Sequence, residues 1–127
     1  MPTAEPRKFL TMQLPDPLLD TVTRELAVIA ARAHFDVNQA KTNYEWENRR
    51  QYVKTRLIKL EEARTKYKDA TRKLRKHILQ RVDLTNEEEI NRHRKEIMIE
   101  SDSLTTQRFA MSMIDNVLHG CTFERYD

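Results

Sequence analysis

The sequence predicts an all-α protein, folded as a long antiparallel coiled-coil hairpin with an extended tail at each end. The four prolines lie within the first 17 residues and the single glycine is Gly120, so about 100 residues lack a strong helix breaker. Apolar residues recur at three-four spacing through most of that stretch. Charged residues make up 34% and the mean hydropathy is −0.80, which favours a narrow apolar seam over a thick core.

The first 15 residues are expected to form an extended N-terminal tail. The segment contains three of the prolines and the apolar residues Phe9 and Leu10. Short apolar tails of this kind fold over their own helices or bind in a groove of a partner. The helix that follows the tail is predicted to start at Asp16 and Pro17, which suit the cap and the first position of a helix.

A first helix is predicted over residues 17 to 82, about 66 residues and near 100 Å long. Its apolar seam has two parts, comprising Leu19, Val22, Leu26, Ile29, Ala33, Val37, Ala40 and Tyr44, and then Val53, Leu57, Leu60, Ala63, Tyr67, Ala70, Leu74 and Ile78. Between the two parts the seam lapses over residues 45 to 52. The alternative is a turn near residues 43 to 48, which gives three helices of about 30 residues each in a three-helix bundle.

A second helix is predicted over residues 86 to 119. Thr85 and Glu88 stand at capping-box spacing, and three consecutive glutamates suit a helix N-terminus. The helix carries a seven-residue apolar repeat, expected to pair with Leu60, Tyr67 and Leu74, at Ile90, Ile97, Leu104, Met111 and Leu118. Gly120 should end the helix. The hairpin therefore spans residues 16 to 119.

The remaining residues, 120 to 127, are expected to form a C-terminal tail. Phe123 and Tyr126 are its apolar residues, and we expect them to contact a partner or the helices.

Charge is distributed unevenly along the chain. Residues 49 to 82 contain 13 Lys and Arg against 3 acidic residues, whereas residues 83 to 127 contain 5 and 10. One interpretation is that the acidic helix neutralises the basic one within the hairpin. The other is that the basic helix binds an acidic surface, either a protein lattice or nucleic acid. The best candidates lie within an arc of about 100° that is directed largely away from the seam, and are Lys68, Arg72, Arg75 and Lys76.

The lapse in the seam is a second candidate contact. Trp46 and Tyr52 flank Arg49 and Arg50 there. Tryptophan, tyrosine and arginine are enriched at the hot spots of protein interfaces. Because no nucleic-acid-binding signature accompanies them, a protein contact is favoured.

The sequence predicts no catalytic residue, cofactor or metal site, and therefore no enzyme. A single glycine argues against phosphate-binding loops, and the four histidines lack the spacing of metal ligands. Cys121 is the only cysteine, which favours a reducing compartment, the cytoplasm or the nucleus. No apolar run approaches the roughly 20 residues that a membrane span needs.

The function expected from these features is that of a non-enzymatic structural subunit. It would dock on or bridge other protein subunits of a larger complex through its seam, its basic helix and its tails. One alternative is a nucleic-acid-associated subunit, of ribosomal or chromatin type, that binds phosphates through residues 49 to 82. The other is a self-assembling coiled coil, a homodimer through the seven-residue repeat.

Overall fold

The structure is a computed structural model that describes residues 20–101 and 105–123, with side chains over 20–98 and 108–123. Four helices form this part of the chain: α1 (Thr21–Glu45), α2 (Arg50–Leu79), α3 (Glu87–Ser101) and α4 (Thr105–Leu118). The described residues contain no strand. The all-α prediction is therefore confirmed.

The predicted continuous helix over residues 17 to 82 is wrong. The chain leaves helical geometry at residues 46–49 and returns, so that α1 and α2 are separate and pack against each other. The break lies where the three-helix alternative places a turn, but the described residues form four helices. The second predicted helix is also two, α3 and α4, and residues 102–104 between them are outside the described part of the chain.

Two predicted helix starts also differ from the structure. Helix α1 begins at Thr21, where the Asp20 carboxylate accepts a hydrogen bond from the Thr23 amide at 2.8 Å. Residues 16 and 17 lie outside the described residues. Helix α3 is capped by Asn86, whose side chain accepts a hydrogen bond from the Glu89 amide at 3.1 Å. The predicted cap, Thr85, instead donates its amide and hydroxyl hydrogens to Asp83, and these bonds lower the pKa of that carboxyl group.

Helix α4 ends at Leu118, just before Gly120, the glycine that was predicted to end it. Gly120 has a φ of +86° and donates its amide hydrogen to the Val117 carbonyl at 2.9 Å. The Cys121 amide donates to the Asn116 carbonyl at 3.0 Å. This pair of bonds is the Schellman arrangement, which requires a residue in the left-handed region after the last turn. It reverses the chain direction and returns residues 121–123 toward α2.

Helices α1 and α2 run antiparallel. At their open end the His77 ring nitrogen Nε2 lies 2.9 Å from the Thr23 hydroxyl, and Arg81 lies 3.6 Å from the Asp20 carboxylate. At the other end residues 46–49 connect the two helices. The contacts at both ends fix the register of the pair over its whole length.

The buried face of α1 is made mainly of small residues: Thr23, Ala27, Ala30, Ala31, Ala33 and Val37. The predicted seam of α1 is therefore rotated, since Val22 and Ile29 are 50% and 54% exposed. The reason is that α1 packs against α4 as well as α2. Alanines allow two neighbouring helices to approach closely, which larger apolar side chains at those positions would prevent.

The seams of α2 and of the C-terminal half lie in the core. Leu60, Tyr67 and Leu74 are buried on α2. Of the seven-residue repeat, Ile97, Met111 and Leu118 are buried, Ile90 is half-buried, and Leu104 lies outside the described residues. Helix α4 packs against α3 and α1 more extensively than against α2. The repeat residues therefore contribute to packing among more helices than the single predicted pair.

An aromatic cluster joins α1, α2 and α4. The centroid of the His34 ring lies 5.8 Å from that of Tyr67 and 5.3 Å from that of Phe109. Phe35 stacks on Phe109 at 4.7 Å. Because the cluster removes the His34 ring from water, it lowers the pKa of that imidazole.

We predict that Ala30→Leu destabilises the fold. Ala30 is fully buried in the small-residue face of α1, and overpacking there should lower the free energy of unfolding by about 1–3 kcal/mol. The matched control is Thr42→Leu, at an exposed position of the same helix, which should change it by no more than about 0.5 kcal/mol. Urea denaturation followed by circular dichroism measures both. Equal stability of the two variants would contradict the packing described here.

We also predict that stability falls as the pH drops below the ordinary histidine value of 6.5. Burial lowers the pKa of His34, and burial together with the Arg81 guanidinium lowers that of His77. Between the folded and unfolded pKa values the unfolded chain binds protons that the folded chain does not, so the free energy of unfolding decreases. Urea titrations at about pH 7.5 and 5.5 should show this loss. The double variant His34→Gln, His77→Gln should lose less, and an unchanged pH dependence would refute the assignment.

Candidate interaction surfaces

The first candidate surface is the hairpin tip, residues 46–52, which comprises the connection between α1 and α2 and the first residues of α2. Trp46, the chain's single tryptophan, is 81% exposed there. Tyr52 is exposed one turn into α2, and the Arg49 guanidinium lies 4.4 Å from the centre of its ring. Arg50 is exposed at the first position of α2. All four residues predicted for this contact are thus together at one end of the helix pair.

Glu47 holds the hairpin tip in place. Its carboxylate accepts hydrogen bonds from the Arg49 side chain at 3.0 and 3.2 Å and from Arg56 Nε at 3.1 Å. The Glu47 side chain is only 5% exposed. The hydrogen bonds from the Arg49 side chain, followed by those from Arg56 and the Arg49 amide, lower the pKa of Glu47 to about 2. Trp46 is therefore presented to solvent by a short loop that is fixed on its inner side.

The second candidate surface is the basic groove, a cavity of about 640 Å³ between α2 and the end of the described chain. It is lined by Lys68, Thr71, Arg72, Arg75, Lys76, Leu79, Gln80, Thr122 and Phe123. The four cations of the predicted stripe line the groove together with Phe123 of the predicted C-terminal tail. The stripe and the tail residue, which the sequence treats as separate features, form one surface.

Phe123 builds the second wall of the basic groove. It has a φ of +57°, which is strained for a bulky residue by about 1–3 kcal/mol. The ring is nevertheless buried, at 7% exposure, and meets Tyr67 edge-on at 6.3 Å between centroids. Burying a phenylalanine side chain stabilises a fold by about 1.5–3 kcal/mol, which offsets the strain.

The basic groove is strongly cationic. Among the described residues that line it four are basic and none is acidic. The Nε atom of Arg75 is buried and has no hydrogen-bond partner in the described part of the chain. A buried donor without an acceptor costs about 1–3 kcal/mol.

Some sequence-predicted site residues are not placed. Phe9, Leu10 and Tyr126 lie outside the described residues. The sequence also missed two contributors, Glu47 and Leu79. For Glu47 the signal was present, because a carboxylate two residues before an arginine at a lapse in the seam can stabilise a turn. Leu79 gave no such signal, since its place in the groove depends on where residues 122 and 123 return.

The described residues contain no cluster of three or more His, Cys, Asp or Glu suited to holding a metal ion. Within the same residues no helix combines the length and apolar character needed to traverse a bilayer. No protein-family profile, curated protein or solved structure matches the chain. The hairpin tip and the basic groove are therefore the two candidate functional sites.

We predict that the hairpin tip loosens at low pH. The pKa of Glu47 is lowered from 4.5 to about 2, so its bonds to the arginines persist in mild acid and are lost as the pH falls toward the lower value. Fluorescence anisotropy of Trp46 should then decrease while circular dichroism still reports helix. In Glu47→Gln, which lacks the carboxylate, the anisotropy should already be low at neutral pH. A transition of the original chain centred at the ordinary glutamate pKa would contradict the description of the tip.

Proposed function

We propose that this protein is a non-enzymatic interaction subunit that docks on another protein through its hairpin tip. The observation that supports the proposal is Trp46, a large apolar side chain presented to water by a loop that Glu47 fixes. Tryptophan in such a position is the residue type most often found at the energetic centre of a protein interface.

Burial of Trp46 and preorganisation of its loop would both favour docking. An aromatic side chain buries roughly 200 Å², and at about 25 cal/mol per Å² its transfer from water into a pocket is worth about 4–5 kcal/mol. Holding the loop in one conformation reduces the entropy lost on association. The carboxylate of Glu47 supplies that order before any partner arrives.

The surroundings of Trp46 indicate the kind of partner. Arg50 is exposed, and Arg49 stacks on Tyr52. A complementary surface would offer an apolar pocket for the indole and carboxylates at its rim.

The basic groove lies near the opposite end of α2, roughly 30 Å away at 1.5 Å per residue. Two surfaces so far apart would let the chain bridge two proteins of one complex. The single cysteine, Cys121, favours the cytoplasm, or alternatively the nucleus, as the place of this assembly.

The nucleic-acid alternative is supported by the four cations of the basic groove. This alternative has less support at the hairpin tip, because the Arg49 guanidinium is already paired with the Glu47 carboxylate. Phosphate binding would fall steeply as salt is added, whereas burial of Trp46 would change little. For a self-assembling coiled coil through the repeat, the difficulty is that Ile97, Met111 and Leu118 are already buried within the chain.

We predict that Trp46→Ala removes the docked partner. The chain is expressed with an affinity tag in its native cells, and proteins recovered at about 0.15 M salt are quantified by mass spectrometry. Recovery of the specific partner should fall about tenfold or more, since truncating a hot-spot tryptophan costs at least about 2 kcal/mol. The control Met98→Ala changes another exposed apolar side chain, on α3, and should leave recovery unchanged. Equal recovery with both variants, or recovery that depends on RNA, would reject docking through the tip.

A further inference from the structure

We infer that the basic groove binds an acidic amphipathic helix of a partner protein, with carboxylates on Lys68, Arg72, Arg75 and Lys76 and an apolar side chain against Leu79 and Phe123. This inference does not depend on the hairpin tip, because the two surfaces share no residue.

The spacing of the cations supports a helical ligand. Lys68, Arg72 and Lys76 follow one another at four-residue intervals along α2, which corresponds to about 6 Å between neighbours and 12 Å in total. A helix lying along α2 repeats its own side chains at the same intervals. Acidic residues at positions i, i+4 and i+7 or i+8 would therefore face all the cations at once.

Arg75 adds a donor for a carboxylate. Its side chain is half-buried and lines the groove beside three other cations. A carboxylate can accept hydrogen bonds from two nitrogens of one guanidinium, and such forked pairs are among the strongest hydrogen bonds that arginine makes.

The apolar side of the groove favours protein over nucleic acid. Leu79 is 36% exposed at the groove, and the Phe123 ring lines the opposite wall. A sugar-phosphate chain gains little from these surfaces, whereas an amphipathic helix places leucine-type residues beside its acidic stripe. The cationic track of about 12 Å is also short for a polymer of phosphates.

The test uses the whole 127-residue chain and a designed 18-residue helical peptide, labelled with fluorescein. The peptide carries Glu at positions i, i+4, i+7 and i+8, with Leu along one flank; a second peptide has the same composition in permuted order. Fluorescence anisotropy should show binding of the patterned peptide that is about tenfold tighter than that of the permuted one. Trp46→Ala should bind the patterned peptide as the original chain does.

Two matched variants test the cations. Arg72→Glu with Lys76→Glu reverses two exposed charges of the groove, and Lys54→Glu with Lys66→Glu reverses two exposed charges of the same helix outside it. Both lower the net charge equally. The groove variant should lose about tenfold or more in affinity and the control less than about threefold. If circular dichroism shows that charge reversal unfolds the chain, Arg72→Gln with Lys76→Gln replaces it, with the same expectation.

A further pair tests the apolar contact. Leu79→Ala should weaken the patterned peptide severalfold, whereas Ile58→Ala, at another exposed apolar position of α2, should not. The inference would be overturned if the two peptides bound with equal affinity or if neither bound. It would also be overturned if the groove variant and the control variant lost affinity equally. The third contrary outcome is that a 12-nucleotide oligouridylate binds more tightly than the patterned peptide and that the groove variant alone abolishes this binding. The last outcome would assign the groove to phosphates.

Discussion

The fold depends on the small-residue face of α1. Ala27, Ala30, Ala31 and Ala33 occupy the positions where α1 meets α2 on one side and α4 on the other. A stripe of larger residues would bury more apolar surface per contact, but it would hold the helix axes apart and leave room for one neighbour. The alanine face therefore lets α1 pack against two helices, α2 and α4, and the exposure of Val22 and Ile29 is a consequence of that packing.

The reversal after α1 occurs without proline or glycine. Residues 45 to 52 offer few apolar side chains that a continued helix could bury, whereas a return buries the alanine face against Leu60, Tyr67 and Leu74. Glu47 stabilises the reversal by accepting hydrogen bonds from the side chains of Arg49 and Arg56. The free energy gained when distant segments pack together therefore selects this local conformation, which intrinsic helix propensity alone does not determine.

The sequence predicted those features that depend on periodicity within one helix. The apolar stripe of α2, the glycine stop at Gly120 and the outward group of cations follow from spacing alone. The α1 face did not follow, and the break at residues 46–49 was offered only as the alternative to a continuous helix, because both depend on which helices meet. The sequence predicted Thr85 as the α3 cap, whereas Asn86 caps the helix, because Thr85 is bonded to Asp83 in the preceding turn. The sequence predicted the cations of the basic groove only as a stripe on one helix, because Phe123, which forms the second wall, is distant from them in the sequence.

Both candidate surfaces lie where helical regularity ends. A single helix exposes its side chains on a convex surface, which can carry charge but cannot enclose a ligand. At residues 46–49 the chain reversal turns Trp46 outward while Glu47 is drawn inward. At Gly120 the Schellman turn sets Phe123 opposite the cations of α2. Without that turn the cations would remain a solvated stripe, where ion pairs contribute little. The single glycine therefore shapes this surface as well as the end of α4, because it converts a charged helix face into a groove.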